Sequence, residues 1–227
     1  MAKLPQLHGG GELTEVQVSE NFDAFMAYIS EKFTGDRLAK LLTLYAPDNY
    51  GTRAAVAPAS SRLHYHSAHV GGYIQHIMNV EKATIGATKL FSMMGGEIDY
   101  TDEERCMVAM SHDLGKLGLD EGEYYLPQTE EWALKKYNAT FEVNPAIQRW
   151  DVTDAALFIL QKNGIALTWK ETLAIKLSDG MFAEKNKSYF VNNAHEGRIR
   201  TNLPYVIHWG DWISARSETS AWEQLQK

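Results

Sequence analysis

Apolar side chains recur at every third or fourth position along most of this chain, with polar residues between them, and that spacing predicts helices. Residues 1–18 read as a glycine-bearing lead-in (His8-Gly9-Gly10-Gly11). Ser19 then caps a helix carrying Phe22, Phe25, Met26 and Ile29. A second helix, Asp36 to Tyr45, carries Leu38, Leu41 and Leu42, and a loop follows from Ala46 to Ser61. From Gly71-Gly72 to about Met94 a long helix should face Ile74, Ile77, Met78, Val80, Ile85 and Leu90 inward. Asp102 to Met110 reads as another helix, with Gly115 as its stop. The tract Gly118 to Asn144 is turn-rich and aromatic, a lid or a packed surface loop. Helices resume at Thr153–Lys162 and Thr168–Ser178, Met181 to Arg200 reads as loop, and a last helix runs from Pro204 to Lys227. No period-two segment stands out, so the predicted fold class is all-α.

At 227 residues a single domain is the default, here a helical extension over 1–60 and a core over about 61–216. The formal net charge of −7 argues against binding nucleic acid through bulk positive charge. It does not exclude a small anionic substrate, since a cation and one or two lysines can set the local sign. Cys106 is the only cysteine and sits on an apolar helical stretch, so it reads as a small core residue. Met1 to Gly11 lacks an apolar signal core, and no run approaches the ~20 residues of a membrane span. These features imply no membrane and a cytoplasmic setting, with a homodimer neither required nor forbidden.

The chemistry gathers around Ser111-His112-Asp113-Leu114-Gly115-Lys116, where an imidazole and a carboxylate adjoin at a helix end. Two residues cannot fill a coordination shell. Four of the chain's eight histidines, His64, His66, His69 and His76, lie within one thirteen-residue stretch. His76 falls in the first turns of the long helix, and Asp211 lies on the last one. A helical bundle can bring His76, His112, Asp113 and Asp211 together in its core. That donor set suits one divalent ion, Mn²⁺, Fe²⁺, Co²⁺, Ni²⁺ or Zn²⁺, with Mg²⁺ as a further candidate.

His76, then His112-Asp113, then Asp211 resembles the H…HD…D signature of the HD-domain metal-dependent phosphohydrolase superfamily. His66-Ser67-Ala68-His69-Val70-Gly71-Gly72-Tyr73-Ile74-Gln75-His76 is similar to that family's H-x-A-x-x-G-G-L-L-x-H opening. His112-Asp113-Leu114-Gly115-Lys116 matches its H-D-[IL]-G-K form, and His208-x-x-Asp211-Trp212-Ile213-Ser214-Ala215 is similar to its closing helix. Ala174 to Lys187 looks like stand-alone HD proteins met in bacteriophage and bacterial genomes. There the tract more often reads H-D-G, and Ser178 stands in this chain where that histidine would be.

The resemblance implies an HD helical bundle centred on its metal and a hydrolase of phosphate esters. The leading expectation is a 5′-nucleotidase releasing orthophosphate from deoxynucleoside monophosphates. A dNTP triphosphohydrolase comes next, then a phosphodiesterase on cyclic nucleotides or 3′ ends, then a nucleotide sensor without turnover. Asp113 would hold the reacting water, Lys116 would contact the phosphate, and His66 would bind phosphate or protonate the leaving oxygen. His208, Asp179 and an aromatic such as Tyr125 complete the expected substrate contacts. Glu184 is a further wall candidate, and Lys185, Lys187, Arg198 and Arg200 are candidates for steering an anion. His195 and His208 are the candidates for any second metal.

Overall fold

The computed structural model describes residues 4–8, 12–192 and 194–227. The three glycines of the lead-in lie outside these. Among the described residues there are ten α-helices and one two-stranded sheet, an all-α architecture. No described helix is long and apolar enough to cross a membrane.

The framework is a pair of long helices, α4 (Gly72–Met93) and α10 (Leu203–Leu225), which form the most extensive helix contact in the molecule. Gly210 permits their close approach, since a Cβ there would overlap the Thr84 methyl and crowd its backbone. On one side α1 (Glu15–Lys32) and α3 (Gly51–Val56) pack on α4, with α2 (Gly35–Leu44) beside α1. On the other, α5 (Asp102–Ser111) lies against α4, with α7 (Val152–Lys162) and α8 (Trp169–Lys176) completing the layer. One apolar core runs from Phe25 and Ile29 through Tyr73, Ile77, Met107 and Ile159 to Leu203 and Ile207. Cys106 is fully buried in it, and burial pushes its thiol well above the ordinary range. Through this core Arg105 of α5 meets Glu81 of α4 at 2.5 Å, and Tyr28 of α1 donates to the same carboxylate at 2.8 Å. Removing one member would leave a buried charge without compensation.

Several expected boundaries move for local reasons. The first helix begins four residues before Ser19, because Thr14 and Gln17 form a reciprocal capping box. Thr101 with Glu104 and Thr168 with Glu171 form the same box at the starts of α5 and α8, which lie within one residue of where the sequence places them. The expected loop at 46–61 contains α3. Along α4, Ile85 is half-buried and Leu90 is 61% exposed, because the helix outruns the core beneath it. The tract 118–144 holds β1 (Tyr125–Pro127), α6 (Glu131–Tyr137) and β2 (Phe141–Val143), with the strands paired antiparallel. The stretch 181–200 includes short 3-10 turns and α9 (Lys187–Val191). Gly115 does not stop α5. A 3-10 turn, Leu114–Leu117, continues from it and ends at Gly118, whose φ of +85° suits glycine.

Candidate functional site

The α4–α10 crossing sets His76 against Asp211, and the end of α5 brings His112 and Asp113 to the same point. His76 Nε2 lies 3.2 Å from Asp211 Oδ1 and 3.5 Å from Asp113 Oδ2. His112 Nε2 lies 3.6 Å from Asp113 Oδ2 and 3.8 Å from Asp211 Oδ1. Donor atoms around one ion at 2.0–2.2 Å stand roughly 3.0–3.4 Å apart, so these separations are at or a few tenths above coordination spacing.

The other ring nitrogens fix the tautomers. His112 Nδ1 faces the Ala109 carbonyl at 2.9 Å, and His76 Nδ1 faces Glu218 Oε1 at 3.2 Å. A carbonyl and an ionised carboxylate only accept, so both protons sit on Nδ1 when the rings are neutral. Both Nε2 atoms are buried without a hydrogen-bond partner. With both rings neutral, two lone pairs point at two carboxylates, an arrangement that repels unless a proton or a metal ion stands between them. Two overlapping sets could hold a metal ion: His76, His112 and Asp211, and His66, His76 and Asp113.

The electrostatics agree. Burial works against the charged forms of Asp113 and Asp211, but Lys116 and the two rings outweigh it at Asp113, as His76 and His112 do at Asp211, and both pKa values are lowered. Lys116 Nζ is 2.6 Å from Asp113 Oδ2 and is held protonated, its burial offset by that carboxylate. At His76 burial opposes the charged ring, yet Glu218 and Asp211 carry its pKa up to about 10. A pocket that attracts a proton this strongly attracts a cation for the same reason. At Asp179 burial, followed by repulsion from Asp113 and Asp211, raises the carboxyl.

Above these groups opens a cleft of about 740 Å³, with Asp113, Lys116, His66, Asp179 and Asp211 among its lining residues. His66 stacks on His76, with ring centroids 4.3 Å apart, and its Nε2 is also buried and unpartnered. Burial, then the neighbouring His76 and Lys116, bring the His66 pKa down to about 3, so its ring is neutral and suits hydrogen bonding better than proton donation.

Other expected residues sit elsewhere. Tyr124 lines the cleft, and Tyr125, whose ring meets that of Tyr124 edge-on at 4.8 Å, lies beside Lys116 at the cleft's margin. His208 is turned away, its Nδ1 at 3.1 Å from the Ser178 carbonyl and its ring against Gly180. It therefore braces the turn that presents Asp179. Lys185 reaches the cleft but pairs with Asp151 at 2.5 Å, while Glu184 pairs with Lys187 at 2.5 Å. His64 and His195 are exposed. Arg149 and Trp150, which no motif singles out, line the cleft, and Glu218 stands behind His76. For Glu218 the available signal was its spacing, seven residues after Asp211 and so on the same helix face. The chain matches no family model, no curated protein and no solved structure.

Proposed function

We propose that this chain is an HD-type metal-dependent phosphohydrolase acting on nucleotides, and most specifically a 5′-nucleotidase that releases orthophosphate from deoxynucleoside monophosphates. The observation that carries the reading is the pair of unpartnered Nε2 atoms facing two ionised carboxylates on the floor of a cleft. His76, His112, Asp113 and Asp211 would hold a divalent transition ion, which when bound would polarise the substrate's phosphoryl group and activate water for hydrolysis.

The chain's own groups do the rest. Lys116, ionised beside Asp113, faces the phosphate and offsets charge that develops on its oxygens. Neutral His66, on the same cleft, hydrogen-bonds that anion. Asp179, whose carboxyl is raised by burial and by the neighbouring Asp113 and Asp211, lies on the same cleft within reach of the leaving group. Tyr124 and Trp150 offer aromatic faces to the base, and Arg149 adds positive charge at the cleft wall. Lys116 and Arg149 on one cleft also favour, as the second reading, a nucleoside triphosphate substrate.

The test is a panel of deoxynucleoside mono- and triphosphates, cyclic nucleotides and oligonucleotide 3′ ends, assayed with Mn²⁺, Co²⁺, Zn²⁺ or Mg²⁺. Orthophosphate from monophosphates, abolished by chelation, is the expected result. Inorganic triphosphate from dNTPs would move the assignment to the second reading. Metal-replete protein that binds nucleotides and converts none would make it a sensor. In the same assay Lys116→Ala should retain the metal yet turn over at least about tenfold more slowly, near 1.4 kcal/mol in the barrier. An unchanged rate would leave Lys116 as a partner of Asp113 alone.

A further inference from the structure

Helix α10 carries two carboxylates on one face. Asp211 reaches the candidate cation position, and Glu218, two turns later, lies behind His76 with its side chain only 8% exposed. Glu218 Oε1 faces His76 Nδ1 at 3.2 Å and accepts from Asn79 Nδ2 at 3.0 Å and Ser214 Oγ at 2.7 Å. Oε2 accepts from Ser67 Oγ at 2.6 Å. Ser67 offers that hydroxyl from left-handed backbone, with φ of 44°, a conformation that residues bearing a side chain adopt only when their surroundings impose it. Donors from α4, α10 and the Ser67 segment therefore converge on one buried carboxylate.

Packing alone would be served as well by an apolar side chain of similar length. What the charge adds is control of the ring. A carboxylate fixed by three other donors, Ser67, Asn79 and Ser214, dictates that His76 carries its proton on Nδ1, turns the ring, and makes Nε2 a stronger base. That Nε2 is the atom found unpartnered 3.2 Å from Asp211 Oδ1.

We infer that Glu218 is a positioning residue for cation binding, fixing the tautomer and orientation in which His76 presents Nε2 to a divalent ion. The inference rests on the reading that His76, His112, Asp113 and Asp211 form a metal site. Two of the supporting contacts are local to the helices that carry the ligands. Ser214 lies between Asp211 and Glu218 on α10, and Asn79 is one turn beyond His76 on α4. One helix crossing thus delivers the ligands together with the group that orients one of them.

The test is a Co²⁺ titration, followed by the visible absorption of the bound ion, on the wild-type chain, Glu218→Gln and Glu218→Met. Glutamine keeps an acceptor and loses the charge, while methionine keeps the volume and loses both. Co²⁺ affinity should fall by ~10–100-fold in the methionine variant and by less in the glutamine one. A residue that merely packs would shift the melting temperature of the metal-free chain and leave the affinity of the folded fraction unchanged. Affinities of both variants within about twofold of wild type would overturn the inference while leaving the metal site intact. Wild-type protein that takes up no Co²⁺ would overturn the metal site, and the inference with it. A measurement independent of folding in the variants is the long-range ¹H–¹⁵N spectrum of the Zn²⁺-loaded wild-type chain. It should show His76 protonated at Nδ1 and metallated at Nε2, and the reverse tautomer would overturn the inference.

Discussion

Replacing Asp113 with alanine is expected to abolish stoichiometric metal uptake and to lower phosphate release by at least roughly a thousandfold, about 4 kcal/mol in the barrier. No other side chain in the cleft serves so many partners through one atom. Asp113 Oδ2 stands 3.5 Å from His76 Nε2, 3.6 Å from His112 Nε2 and 2.6 Å from Lys116 Nζ. Its loss removes one proposed ligand and also the anion that holds Lys116 in place. Asp113→Asn separates these effects, since the amide keeps the volume and one carbonyl oxygen but gives up the charge. The asparagine variant should bind metal weakly and turn over poorly, falling between wild type and alanine in affinity. Both should keep the helical circular dichroism of wild type, because the 3-10 turn that carries Asp113 is anchored by buried Leu114 and Leu117 rather than by the carboxylate. Metal content by elemental analysis and orthophosphate release read the two outcomes separately. Activity that survives in metal-free Asp113→Ala protein would count against the proposed chemistry.

The parts of this site that the sequence disclosed are those encoded by adjacency or by a single helix. His112 and Asp113 are neighbours, and α5 has its capping box and its apolar positions in plain view, so the end of that helix could be placed from the residues alone. Convergence with His76 and Asp211 depends on how α4 crosses α10. That crossing turns on Gly210 meeting Thr84, a contact 126 positions apart that no local pattern encodes. Tyr124 and Tyr125 illustrate a second limit. Where a loop enters a strand, neighbouring side chains diverge, so one position separates Tyr124, which lines the cleft, from Tyr125, which lies at its margin beside Lys116. Arg149 and Trp150 reach the cleft from an irregular segment ahead of α7, where periodicity is silent. The earlier start of α1 is different in kind. Thr14-Glu15-Val16-Gln17 carries a legible capping-box pattern that outweighs Ser19, which lies inside the helix.

A glycine's reason for being glycine can also be hidden, and Gly115 gives the second large effect. By position alone it looks like the residue that ends α5. In the fold it lies inside the 3-10 turn between Asp113 and Lys116, pressed against the start of α7. A Cβ at Gly115 would overlap the Val152 carbonyl oxygen and approach the Ala155 methyl to 2.9 Å. The obstacle is backbone at a helix N-terminus, which cannot rotate out of the way as a long side chain would. Gly115→Ala must therefore push α7 and the turn apart. Overpacking of this kind costs about 1–3 kcal/mol and sometimes more. For a chain of this size that corresponds to a melting temperature lower by roughly 2–12 °C. The displaced turn carries Asp113 and Lys116, so turnover should fall as well, by up to about a hundredfold if the carboxylate moves by an ångström. Gly86 provides the contrast. It lies within α4, where an added methyl would meet nothing within 4 Å, so Gly86→Ala should raise stability by roughly 0.5–1 kcal/mol through helix propensity alone. Thermal melts of the two alanine variants against wild type check both signs together. If Gly115→Ala melts within about 1 °C of wild type, α7 does not press on the turn as described, and the rigid seat proposed for Asp113 and Lys116 loses its support.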